Sequence, residues 1–538
     1  MRAKHPYGAV ALLCAGFLFL APCLSAQTAA ASRHVGVPQG WSDHNVVFSL
    51  EGLARHPNLI YQEPRVRHQV MQRFQSSEFF RGLGPTADYV TTSHHRDWSV
   101  NLVRGHISAN MYPAKYSFDP GAPPSCANDY VVFGLNVAGA TAGQANLVAF
   151  NNLYSGTGGM CGAAPTVMFA YNVTTVKGGK VELSPVISED GTKIAFAETV
   201  GTSTVFHVLT WTAGQGTITK AAAPATMTSL TIPATSTTSS PWVDYANDIA
   251  YMGVDGGSVY KIKGVFNTTP SLAAFPWPVL VSGGHHLTPP VLDNQLGMLM
   301  VGSANGNLYQ LNVATTALAV VAVGAHGGTS PGIAAPPIVD VTNGTTFVTA
   351  ANDGTSGVLV EVDTATLIQL AKGRIGLGAA GGTALSIPQP AFDNNYYNNP
   401  TTGVVHLCGT GLNDTTPWQY SFGFLGRTMI PVSVFAQQLL NSTAATCTGW
   451  TEFFNPNVGA GGTDFFFFGL TQDCTGTGTS GCAVALTTDL APMVTAPVVG
   501  GPSGIVVDNY STAGQASSVY LSGEAENTAY KFTQNGLQ

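Results

Sequence analysis

The chain has 538 residues, of which only 9% are charged, with 21 Lys and Arg against 29 Asp and Glu and a formal net charge of −8. That balance excludes the basic stripes that nucleic-acid binders need. The apolar residues lie in short runs of about four to eight, which excludes a bundle of membrane-spanning helices and points to strands.

Residues 1–26 read as a signal peptide. Arg2 and Lys4 precede the apolar run Ala9 to Leu20, and Leu24-Ser-Ala26 ends it with small side chains. The run is too short to cross a bilayer. Export to the periplasm, the cell envelope or the exterior is the expectation. Cys23 sits in a near-lipoprotein context, but the preceding Pro22 breaks that pattern, so a lipid anchor at Cys23 is not expected.

Residues 27–112 differ from the rest. They carry a series of arginines from Arg33 to Arg104, a candidate strand at Val46 to Leu50 and a candidate short helix at Pro64 to Phe74. A loose phrase occurs twice, as Gly40-Trp-Ser-Asp43 and Arg96-Asp-Trp-Ser99. The segment reads as an N-terminal extension packed on a larger body, because it has too few apolar residues for a core of its own.

From residue 113 to residue 538 a repeat takes over. Its clearest copy runs Thr288-Pro-Pro-Val-Leu-Asp293, Gly297-Met-Leu-Met-Val-Gly-Ser303, Asn305-Gly306 and Asn307-Leu-Tyr-Gln-Leu-Asn312. Prolines at 124, 185, 241, 290, 337, 390 and 497 open the copies at intervals of roughly fifty residues, the signature of a β-propeller. The last interval is double, and Asp464-Phe-Phe-Phe-Phe-Gly-Leu470 fills the gap as the counterpart of Asp129-Tyr-Val-Val-Phe-Gly-Leu135. The expected fold is therefore all-β, a propeller of eight four-stranded blades, with seven as the alternative. Asp190, Asp244, Asp293, Asp340 and Asp393 follow the prolines at a turn, and each is read first as a turn former. The final copy is short of a strand, and an unclosed ring would expose sheet edges. The strand at Val46 to Leu50 is the expected donor that closes it.

Six cysteines remain after the leader. Their even number in an exported chain implies disulfides, and the favoured pairs are Cys126 with Cys161, Cys408 with Cys447 and Cys474 with Cys482, although other pairings are open.

The Thr288 to Asn312 unit resembles the repeat of quinoprotein-type propellers, with its Pro-Pro opening, Val-Gly-Ser strand and Leu-Tyr-x-Leu-Asn outer strand. Ser188-Glu-Asp-Gly-Thr-Lys-Ile-Ala-Phe196 resembles the corresponding phrase of TolB-type propellers. The resemblance implies one of two functions: dehydrogenases that use pyrroloquinoline quinone and calcium, or cofactor-free envelope propellers that bind protein segments. The vicinal cysteine pair and the regular tryptophan docking phrase of the dehydrogenase branch are missing, so the quinone is not expected.

Candidate chemistry is sparse. The best oxygen-ligand set for calcium is Asp393 with Asn395, inside Asp393-Asn-Asn-Tyr-Tyr-Asn-Asn399, although an Asn-rich turn explains that run equally well. Two histidine pairs occur, and His95 and His286 are candidates to meet at a propeller mouth. Tyr396, Tyr397 and Trp418, read as loop residues, are candidates to stack on sugar rings. Gly328-Thr-Ser-Pro-Gly332 matches a nucleophile string, but its prolines forbid the helix that a nucleophile elbow needs. Phe465 to Phe468 reads as a buried strand. The favoured function is a non-catalytic binding or envelope scaffold, monomeric, taking a protein segment or a glycan at a propeller mouth. The alternative is a propeller enzyme acting on carbohydrate or a quinone-dependent dehydrogenase. A shallow uncharged mouth is expected of the first, and convergent carboxylates of the second.

Overall fold

The computed structural model describes residues 38–56, 66, 69, 94–119, 124–233, 236–324, 332–455, 462–474, 480–487, 493–508 and 518–534. Residues 1–26 with Cys23, the Gly328 string and most of the stretch from 64 to 74 expected to be a short helix lie outside the described residues.

Alternating apolar runs separated by Asx and Gly turns have one stable outlet, the antiparallel hairpin, and here they build eight antiparallel sheets. The sheets are blades around a central channel. Their inner strands, in order, are Ala114–Ser117, Val186–Ile187, Trp242–Asp244, Val291–Asp293, Ile338–Asp340, Ala391–Phe392, Thr451–Asn455 and Val506–Asp508. Proline does stand before five of these inner strands, at Pro185, Pro241, Pro290, Pro337 and Pro390. Two of the expected markers are misplaced. The first blade opens after Pro113 rather than Pro124, and Pro497 lies inside the outer strand Val494–Val499 of the seventh blade. Proline is tolerated there because an outer strand needs ladder donors on one side only.

The aspartates act at the turns. Asp293 accepts from the amides of Gln295 and Leu296, at 3.0 and 2.9 Å, and Asp340 accepts from Asn343 N at 2.9 Å. The Phe465–Phe468 run shows how blades pack. Phe465 and Phe467 join the apolar cluster shared with the eighth blade, around Val507 and Leu521. Phe466 and Phe468 face the other way, against Trp450 and Cys408 on the side of the sixth blade. The period-two alternation of a strand thus feeds two interfaces at once, and each such ring contributes about 2 kcal/mol through burial.

The ring is closed by the extension, through a different strand from the one expected. His94–Asn101 pairs antiparallel with Thr528–Gln534 and supplies the outer strand of the eighth blade, whose other strands come from the C-terminal end of the chain. Lys531 and Asp97 form an ion pair across this joint, with both side chains fully buried. Thr533 Oγ1 donates to the same carboxylate at 2.6 Å. Burial pulls Lys531 below the usual lysine range, opposed by Asp97. Trp98 anchors the strand to the first blade by donating to Leu153 O at 2.8 Å. A second buried pair, Lys115 with Asp508 at 2.7 Å, joins the inner strands of the first and eighth blades at the same seam.

Val46–Phe48, the expected closing strand, has another place. It lies parallel to Lys115–Ser117 on the inner edge of the first blade, while Pro38–Gln39 pairs with Val339–Asp340 on the inner edge of the fifth. Between them runs a 3-10 turn, Trp41–Asn45. Residues 38–48 therefore thread the central channel. Gln39 Nε2 donates to Leu292 O at 2.9 Å and Trp41 Nε1 to Pro241 O at 3.2 Å, so the third and fourth blades also hold the segment. Gln69 mimics a peptide unit beside it, accepting from Phe48 N at 3.0 Å and donating to Phe48 O at 2.7 Å. Gly40 sits tightly here, and a Cβ at that position would push aside the end of the Gln389 side chain.

All three favoured disulfides are present: Cys126–Cys161 in the first blade, Cys408–Cys447 between the sixth and seventh, and Cys474–Cys482 in the seventh. Among the described residues no helix is long and apolar enough to cross a membrane.

Candidate functional site at the channel mouth

Propellers present ligands with loops gathered at the ends of the channel, so the threaded segment decides what such a site can be here. It divides the channel. His44 sits against Trp242 with ring centroids 3.8 Å apart, and its Nε2 lies 3.0 Å from Val243 O. Complete burial holds its pKa down to about 4, so the imidazole is neutral at neutral pH and suited to donating to that carbonyl.

Above the segment lies a shallow depression, formed by the loops that lead into the inner strands. Trp41, Met111, Tyr112, Ser240, Pro336 and Gln389 are among its walls. Among the described residues Tyr112 is the one ionisable side chain lining it. Met111 is held in place by the hydroxyls of Ser184 and Ser240, whose oxygens lie 3.6 and 3.4 Å from its sulfur. Beside the segment is a second, small space against the inner strands of the sixth to eighth blades, and among the described residues Glu452 is its one carboxylate.

Two more carboxylates, Asp393 and Asp464, lie at the junction of the sixth and seventh blades and line neither space. Asp393 caps the helix Asn394–Asn398, and its Oδ1 accepts from Tyr396 N and Val404 N, each at 2.9 Å. Asp464 Oδ1 accepts from Asn394 N at 2.7 Å. Burial raises Asp393 to about 6, and burial together with the charge of Asp393 raises Asp464 to about 7. At the calcium candidate Asp393 with Asn395, one carboxylate oxygen, Asp393 Oδ1, already accepts from two backbone amides. Among the described residues no group of three or more His, Cys, Asp or Glu converges on a common point as metal ligands.

The other sequence candidates are dispersed. His286 Nδ1 lies 2.8 Å from Asp255 Oδ1, in the loop before the fourth blade. His95 lies in the outer strand of the eighth blade, paired with Thr533. The two stand on opposite sides of an eight-membered ring and do not meet. Tyr396 and Tyr397 are on the short helix rather than in an open loop. Tyr396 is wholly buried and donates to Asp340 Oδ2 at 2.8 Å, so its ring is closed to a sugar. Trp418 is on the strand Pro417–Leu425, half-buried, donating to Thr416 Oγ1 at 3.1 Å.

Sequence reasoning missed Trp41, Met111 and Tyr112 as mouth residues. The repeated Trp-Ser phrase was their available signal, since both tryptophans anchor the extension, Trp41 to the third blade and Trp98 to the first.

No family model matches the chain, and no curated protein matches its sequence. Among solved structures it is similar to BamB from Moraxella catarrhalis, at 12% identity and a TM-score of 0.44, covering 82% of this chain and 97% of that one. It is also similar to Hsv2 from Kluyveromyces lactis, at 8% identity and a TM-score of 0.37, covering 68% and 94%. The likeness is one of propeller architecture alone.

Proposed function

We propose that this chain is a non-catalytic binding scaffold of the cell envelope or exterior, which engages a protein segment or a glycan at the mouth around Trp41, Met111 and Tyr112. The observation that carries the reading is the composition of that mouth: hydroxyl, amide, proline and aromatic side chains, without the acid and base pair that glycoside chemistry needs. The filled channel counts against a flat quinone as well, because residues 38–48 occupy the space along the axis. Aromatic and amide walls suit a neutral ligand that stacks and hydrogen-bonds.

The test is a displayed-peptide library and a glycan array, each probed with the purified chain and with Ser386→Trp, which fills the mouth. Binding by the wild type that is lost in the variant is expected. Dye-linked oxidation of alcohols or sugars after addition of pyrroloquinoline quinone and calcium, or cleavage of a polysaccharide, overturns the reading.

A further inference from the structure

Each blade ends in an outer strand with one open edge, and an open edge is a template for another strand unless something blunts it. Seven of the eight edges carry a charge, a proline, a covering bridge or a run of polar hydroxyls among the described residues. The first is bridged by Gln215 and Ala222. The second is rich in hydroxyls, at Thr226, Thr228, Ser229 and Thr231. The third is split into Ser271–Leu272 and Val279–Leu280 around Pro276 and Pro278. The fifth carries Lys372 and Arg374, the sixth is interrupted at Pro431, the seventh contains Pro497 and the eighth exposes Arg96.

The fourth is the exception. Leu318–Ala322 reads Leu-Ala-Val-Val-Ala, with Leu318 42% and Val320 55% exposed, and no charged residue or proline occurs from Val313 to Gly324. Its hydrogen-bond phase is fixed by Asn312 N donating to Ala317 O at 2.9 Å and Val323 N donating to Gly306 O at 3.0 Å. In an antiparallel ladder a residue's N–H and C=O point to the same side and alternate along the strand. Residues 317, 319, 321 and 323 therefore face the blade, and Leu318, Val320 and Ala322 turn their backbone groups outward.

We propose that this edge is a self-association surface, through which two copies of the chain join their fourth blades antiparallel about a two-fold axis at Val320. The strand complements itself in that register. Val320 meets Val320 of the second copy as a hydrogen-bonded pair, Leu318 meets Ala322, and Ala319 meets Val321. Every large residue off the axis faces a smaller or β-branched one, and all outward backbone groups are paired. A second copy is favoured over a charged partner because this edge carries no charge to pair with one and is complementary to itself about Val320. The contact is isologous and closes at two copies rather than growing into a fibre. It replaces the monomer expected from sequence.

The experiment measures the mass of the full purified chain by light scattering at tens of micromolar, for wild type, Val320→Lys and Val320→Cys. The wild type is expected at twice the monomer mass. Val320→Lys, at an exposed edge, is expected at monomer mass with an unchanged circular dichroism spectrum. Val320→Cys is expected to form, on mild oxidation, an intermolecular disulfide that peptide mass mapping assigns to position 320 in both copies. A wild type that stays monomeric overturns the proposal, as does a dimer that persists in Val320→Lys or a crosslink that maps elsewhere.

Discussion

Glu361 offers a sharp test of the electrostatics between the blades. It lies on Val358–Asp363 of the fifth blade, fully buried, and its Oε2 accepts from Met429 N of the sixth blade at 2.6 Å while Oε1 has no partner. Burial pushes its pKa from 4.5 up to about 7, with the amide of Met429 and the charge of Arg427 pulling the other way. A carboxyl whose pKa is higher in the folded than in the unfolded chain stabilises fully below the unfolded value and loses that contribution as pH rises through the folded one. At 1.36 kcal/mol per pKa unit, the wild type forfeits about 2 kcal/mol at this site between pH 5 and pH 8. Glu361→Gln keeps the shape and the acceptor for Met429 but cannot ionise. Relative to wild type the variant should gain about 2 kcal/mol over that interval, which is about 2 °C in Tm for a cooperative unit of this size. The assay is scanning calorimetry of both proteins at pH 5 and pH 8. An offset between the two that stays the same at both pH values, or that moves against the variant at pH 8, refutes the reasoning.

Two other outcomes follow from the same description. Asp97→Asn leaves the buried Lys531 without its paired carboxylate, and should cost about 3–5 kcal/mol in urea unfolding, whereas replacing both residues by Asn and Met should recover most of that loss. A single variant that matches wild type would show that the seam does not depend on the pair. His44, held down to about 4 by burial, acts in the opposite sense to Glu361. Its contribution is intact above the unfolded value near 6.5 and is lost as pH falls towards 4, so His44→Gln should flatten the acid limb of a Tm against pH profile. A variant whose change in Tm between pH 6 and pH 4 equals that of the wild type contradicts this.

The blades were legible because their strands and turns are local. Pro290, Asp293 and Asn305-Gly306 act within a few residues of themselves, and the Phe465 run declares a doubly covered strand by being apolar at consecutive positions. The closure was legible as a need but not as an address. Val46–Phe48 and His94–Asn101 are both short and β-prone, and what separates them is one distant lysine, Lys531, which a single sequence does not connect to Asp97. The threaded segment left still less trace, since Pro38–Gln39 and Val46–Phe48 are held through backbone ladders that any residues can make. Tyr396 misled for a related reason: the Asn-rich run around it looks like an exposed loop, yet Asp393 caps it into one helical turn that directs the ring inward.

The seam between the first and last blades also sets the order in which the molecule can be completed. Asp97 and Lys531 are 434 residues apart in sequence, and until residues 528–534 exist the strand at 94–101 has no sheet to join. The end of the chain that is made first is thus among the last to be fixed in place. A chain cut short anywhere before its final strands is left with an unclosed seam, two bare edges and no ion pair. Loop-closure entropy over that distance makes closure slow, and during the wait the open edges are exposed to other strands. Completion of the ring therefore waits on residues 528–534.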